Sequence, residues 1–416
     1  MLRRTFLAGT AAALAAVAQR SRGASDGLGS LAYVQDETLW IKRLPDGQPL
    51  ALAAGNVVYG PKFSPSGRWI LFRDGDDLLR LVSADGTRAK SWVGSGQWLP
   101  GRDQLAVYLG EESNRTVILG ERDDWNVPLR TLTDPIGTIS PDGSLRAWES
   151  SAGDGTRRLF LGSFAEPGEP RLIAETKEGG FEIFAFARGG SRFLYWMTDE
   201  EGADAWSYGM DFYLAGDAEP VKTGVVTLTS GYDNMMSLSS AANTLAAAVG
   251  GDHITYQEHS IALVDISDDS NPKVRPITGP LVSTIHPAWS PDGGQLVWSQ
   301  GPDADALDKQ LSAAGQDLTG DELATRALRG RRIWSAGDRG LSEQVQLTND
   351  ARYQDEMPVW SRDGSHILFG RWDEKDTRTL WLMRSDGSEP REVAGTFAVR
   401  SNVADDWPDL FDWSFR

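Results

Sequence analysis

WSPDGGQLVW (289–298) is a tight turn followed by an apolar strand, and the chain repeats it. FSPSGRWILF (63–72), ISPDGSLRAW (139–148) and WSRDGSHILF (360–369) share the template. In each, an aromatic or aliphatic residue and a serine lead into a turn that ends in glycine. Pro65, Pro141 and Pro291 preset φ for the turn. Asp142, Asp292 and Asp363 suit it because an aspartate bonds its own backbone two residues on, and Gly67, Gly143, Gly293 and Gly364 accept positive φ.

A second turn recurs downstream as PDG (45–47), ADG (84–86) and SDG (385–387), each after an alternating strand such as LWIKRL (39–44) or LWLMRS (380–385). The unit is therefore a meander: strand, SPDG turn, strand, loop, strand, DG turn, strand. Second strands start near Leu31, Ile70, Leu105, Leu145, Phe193, Leu245, Leu296 and Ile367. Eight starts spaced about 48 residues apart match the repeat length of propeller blades. The expectation is an all-β propeller of four-stranded antiparallel blades, eight in number, with seven as the alternative.

The first unit lacks its own first strand, and the tail 397–413 has apolar residues to spare. A strand from the tail would complete blade 1 and close the ring, removing the exposed edges of an open array. Trp407, Phe411, Trp413 and Phe415 would then pack between the first and last blades.

Composition bounds the function. The chain has 416 residues, 41 Lys plus Arg against 59 Asp plus Glu, a net charge of -18 and no cysteine. Without cysteine there is no disulfide framework, thiolate metal site, iron–sulfur cluster or cysteine nucleophile. The acidic balance speaks against nucleic acid, whose phosphates need a concentrated basic surface. With 40% hydrophobic residues the chain has material for a large core but is too polar for a bundle of membrane helices.

Residues 1–24 differ from the rest. Arg3 and Arg4 precede an apolar run from Phe6 to Ala18, and no acidic residue occurs before Asp26. That is a secretory pattern, too short for a spanning helix, with Ala16 and Ala18 as a small-x-small cleavage site. The arginine pair followed by Phe6 and Leu7 resembles the bacterial twin-arginine signal, although Leu2 stands where that signal usually has Ser or Thr. The expectation is an export signal at 1–24 and one propeller domain at 25–416, periplasmic or extracellular and monomeric, with no membrane span after cleavage.

The SPDG-type repeats resemble those of the TolB-type β-propellers, which also form the propeller portion of prolyl oligopeptidase and dipeptidyl peptidase IV relatives. The resemblance covers nearly all of the chain after the signal. It is strong at units two, seven and eight and weak at three, five and six, where ARGGS (187–191) and SSAAN (239–243) replace the turn in the last two. It implies that loops from second to third strands share one face with the blade-to-blade connections, and that the SPDG and DG turns share the other.

The longest insertion, 303–330, falls between QLVWSQ (295–300) and RRIWSAG (331–337), on the first of these faces. It carries Leu307, Leu311, Leu318, Leu323 and Leu328, with Asp321 and Glu322 opening a short helix that Gly330 closes. Long ordered loops in compact domains are often functional. The same face should collect residues near the start of each innermost strand: Tyr59, Glu182, Tyr232, Asp233, His286, Asp355 and Glu356. Carboxylates, tyrosines and a histidine at a channel mouth suit a polar ligand. Arg326, Arg329, Arg331 and Arg332 form a dense basic cluster that would suit a carboxylate partner.

No serine-hydrolase elbow, phosphate-binding loop, dinucleotide fingerprint, HExxH or EF-hand loop occurs. No catalytic residue and no cofactor is assigned; a divalent cation at His286, Glu356, Asp355 and Glu182 stays open. The expected function is a non-catalytic exported propeller that binds a protein, peptide or envelope glycan across the face with the insertion. The alternatives are a metal-dependent polysaccharide lyase or other hydrolase-like enzyme at the channel mouth, and a scaffold subunit of an exported complex.

Overall fold

The computed structural model describes residues 28–414 apart from 56, 110–114, 167, 188–189, 191, 199–209, 217–218, 228–234, 240–242, 251–254, 269 and 398–409. Residues 1–24, expected to direct export, and Trp407 and Phe415 lie outside the described residues.

Where the turn is complete, its side chains behave as their chemistry requires. Ser290 Oγ donates to Asp292 Oδ1 at 2.6 Å, the same oxygen accepts from Gly294 N, and Gln295 N donates back to Ser290 Oγ. Gly293 follows at φ +69°. The triads Ser140–Asp142–Ser144 and Ser361–Asp363–Ser365 repeat the arrangement. In unit two Ser66 replaces the aspartate, and Asp103 of the next blade bonds both Ser66 N and its hydroxyl.

Each turn launches an antiparallel strand, and the strands assemble into eight four-stranded blades. All eight second strands begin within one residue of the repeat positions, from Ser30–Gln35 through Leu296–Pro302 to His366–Trp372. Blades 5 and 6 are joined into one sheet by a single pairing, Thr227 with Val249. The remaining six blades are separate sheets. Eight is also the number of apolar clusters, one at each blade-to-blade interface. Seven blades are thereby excluded.

The last of these clusters closes the ring. Phe411–Ser414 is the innermost strand of blade 1, pairing Leu31 with Trp413 and Tyr33 with Phe411. Leu410, Phe411 and Trp413 are buried against Leu368, Leu380 and Leu382 of blade 8. On the other flank Asp412 accepts from Phe63 N of blade 2 at 2.6 Å. Similar bonds cross other blade borders near the inner strands: Phe181 N to Glu149, Trp289 N to Ser237, and Trp360 Nε1 to the Ala288 carbonyl.

The turn carboxylates give the fold an acid limit. Hydroxyl and backbone donors hold Asp85 and Asp142 at about 2, below the usual 3.8. A carboxyl lowered in the folded state stabilises above its unfolded value and loses that contribution as pH falls through the folded one. Thermal melts should therefore hold steady from pH 7 to about pH 4 and fall between about 4 and 2. The double variant Asp85→Asn, Asp142→Asn should show a shallower fall; a profile superimposable on the parent would refute this.

Candidate functional site at the insertion face

The insertion leaves blade 7 at Pro302 and returns at Arg332, the partner of Gln300 across the hairpin. It forms helices α1 (Ala304–Ala313) and α2 (Gly320–Arg329). Asp303 caps α1 by accepting from Ala306 N at 2.9 Å, and its other oxygen takes Glu258 N of blade 6. Thr319 and Glu322 cap α2 reciprocally, the arrangement that satisfies two orphan donors of a helix start. Gly330 ends it, where a Cβ would lie 2.4 Å from Pro302 Cδ, so glycine alone allows this close return.

Beneath the helices lies a buried polar network from blades 6, 7 and 8. Arg331, 1% exposed, donates to Glu356 Oε1 at 2.5 Å and to the Thr255 carbonyl at 2.6 Å. Gln354 Nε2 donates to the same Glu356 oxygen. Asp355 receives a two-pronged bond from Arg371, at 2.6 and 3.1 Å, and that guanidinium lies over the rings of Tyr353 and Trp381. His286 Nδ1 accepts from Met357 N at 3.3 Å. Burial pushes the His286 imidazole down to about 3, against the pull of Glu356, so it is neutral at pH 7. Burial also pushes Glu356 up, but the Arg331 charge and the hydrogen bonds from Arg331 and Gln354 hold the carboxyl below its usual value.

The structure thus brings three of the sequence-derived residues, His286, Asp355 and Glu356, into one network, sealed from solvent rather than presented at the mouth. Glu182 is exposed on the inner strand of blade 5, apart from them. Tyr59 lies on the first strand of blade 2, with its side chain outside the described residues, as are Tyr232 and Asp233. The four arginines also divide. Arg331 is Glu356's internal partner, and Arg332 donates to the carbonyls of Arg329, Arg331 and Tyr353. Arg329 reaches the Asp373 and Glu374 carbonyls of blade 8. Arg326 is exposed and makes no ion pair among the described residues.

This face holds a groove of about 720 Å³ beside α2, lined by Pro302, Leu318, Thr325, Arg326 and Arg329, with Asp321 and Glu322 at the other end, and a second of about 760 Å³ beside α1. Sequence reading placed the arginines but missed the groove, because Leu318 and Pro302 converge only once the helix is folded back. It also missed Thr255, Gln354 and Arg371, which carry no motif. No group of three or more His, Asp or Glu suited to a metal occurs among the described residues. No helix among them is long and apolar enough to cross a membrane.

No protein-family model matches the chain, and no curated protein matches it. Solved structures do. A eukaryotic initiation factor is similar over 94% of this chain and 91% of its own, with TM-score 0.54 and 12% identity. A dihydro-heme d1 dehydrogenase matches 92% of this chain and 77% of its own, with TM-score 0.52 and 15% identity. A putative TolB from Agrobacterium tumefaciens matches 94% and 99%, at TM-score 0.36 and 15% identity. At such identities the likeness is one of fold and leaves function to the site. With its eight four-stranded blades, the chain is an eight-bladed β-propeller in fold.

Proposed function

We propose that this protein is an exported binding propeller whose partner, a protein or peptide segment, docks on the face bearing α1 and α2. The observation that carries the reading is the groove beside α2. It combines apolar surface with Arg326, a cation left exposed while its three neighbours are engaged. A partner that offers an apolar side chain next to a carboxylate fits both. The buried network supports the reading from below, since it ties the insertion to blades 6 and 8 and presents it as a rigid surface. Pre-ordered surfaces bind with less entropic loss. The arginine pair at Arg3 and Arg4 supports export as a folded chain.

The test is affinity capture from cell-envelope extract with three versions of the mature chain: intact, Arg326→Glu, and residues 306–329 replaced by a short Gly/Ser linker that spares Asp303 and Arg331. The expected result is one partner retained by the intact chain, weakened about tenfold by the charge reversal and lost with the linker. Equal capture by all three, or by none, would overturn the reading.

A further inference from the structure

Inner strands of blades 6, 7 and 8 border a second cavity, of about 460 Å³, toward the face of the SPDG turns. Its lining includes His286, Pro287, Trp289, Pro358, Trp360 and Arg362. Three independent features distinguish it from a gap in packing.

The first is backbone strain. His286 and Met357 both adopt left-handed φ, +56° and +52°, directly before Pro287 and Pro358. The matching position of blade 2 is Gly60 before Pro61, at φ +72°, so the repeat needs a residue tolerant of this conformation. Blades 7 and 8 use large side chains there instead. Strain of this kind persists where the surroundings impose it and is concentrated at ligand sites.

The second is hydrogen bonding. His286 Nδ1 lies 3.3 Å from both Met357 N and Ser299 Oγ, and Met357 N is nearer to Ser299 Oγ, at 3.1 Å. His286 Nε2 has no hydrogen-bond partner among the described residues, and neither has the indole N–H of Trp289, which is 8% exposed. A buried ring nitrogen and a buried indole N–H, both without partners and on the lining of one cavity, call for a polar group on its occupant. The third feature is charge. Arg362 stands where three other turns have proline; it is exposed and makes no ion pair among the described residues.

We propose that this cavity binds a small carboxylate with an aromatic or aliphatic body, the body packed among Pro287, Trp289, Pro358 and Trp360 and the carboxylate turned to Arg362. The volume lies within the range of about 300–1,000 Å³ common for small-molecule sites. This site lies apart from the insertion groove, so its fate is independent of the partner reading.

The experiment is calorimetric titration of the mature chain with 2-naphthoate, and with 2-naphthamide as the uncharged counterpart. Saturable binding of the acid is expected, with the amide about tenfold weaker. Arg362→Gln, an exposed change outside the core, should weaken the acid about tenfold and leave the amide unaltered. Arg326→Glu on the opposite face should change neither. Absence of binding by the acid, equal affinity for acid and amide, or an Arg362→Gln variant that binds the acid like the parent would each overturn the proposal.

Discussion

Removing residues 405–416 should abolish cooperative folding near physiological temperature or lower the melting temperature by more than 10 °C, on the order of 10 kcal/mol of lost stability. The deletion strips Leu410, Phe411 and Trp413 from the interface of blades 1 and 8, where all three are at most 5% exposed. Fully buried apolar side chains of this size contribute roughly 1.5–3 kcal/mol each. To that is added the ladder from Ser30 to Tyr33, the bond from Trp413 Nε1 to the Leu28 carbonyl, and the Asp412 link to Phe63 N. Since a whole domain is stable by only about 5–15 kcal/mol, the loss is comparable to the total. Differential scanning calorimetry decides it, and Trp413→Ala serves as the milder variant if the deletion yields no soluble protein. Melting curves unchanged in both would mean the ring is held shut by other contacts.

Arg331→Met should cost about 3–5 kcal/mol, because it leaves the Glu356 carboxylate buried without its counterion. For a chain of this length that is a drop in melting temperature of about 4–6 °C. The double variant Arg331→Met, Glu356→Gln should regain most of the loss, since burying two neutral groups avoids the desolvation penalty of one lone charge. The pH dependence has a definite sign. In the parent, the lowered Glu356 carboxyl stabilises above its unfolded pKa, and that contribution disappears as pH falls through the folded value. Without Arg331, burial acts unopposed by its main cation, the carboxyl takes up a proton at higher pH, and the deficit of the single variant should shrink between pH 7 and pH 5. A deficit that is the same at both pH values, or a double variant no better than the single, would show that packing of the Arg331 stem outweighs the ion pair.

Fold and site were unequally legible in the sequence. The repeat was readable because turn chemistry is local: a Ser, an Asp and a Gly at fixed offsets bond one another whatever surrounds them. Even the divergent units keep that logic, with Gly190 at φ +73° in ARGGS and Asn243 at +48° in SSAAN, both residues that tolerate left-handed backbone. The closing strand was readable by counting, since the first blade was one strand short. The site was harder. Carboxylates near inner-strand starts were expected at an open mouth, yet Asp355 and Glu356 face Arg371 and Arg331, residues 16 and 25 positions away in sequence. Burial of a charge depends on a partner from another strand or blade, and no spacing rule in a single chain announces it. Likewise, four clustered arginines looked alike until the helix end sorted them into one exposed cation and three engaged ones.

The pairing of Leu31 with Trp413 also sets an order of events during synthesis. At translation rates of about 5–20 residues per second, blade 1 waits roughly 20–80 s for the strand that completes it. Until residues 411–414 emerge, the inner edge of Ser30–Gln35 is open, and premature pairing with another nascent chain is the hazard of such an edge. The strand Phe411–Ser414, rather than any internal blade, is therefore the point at which this ring becomes a finished object.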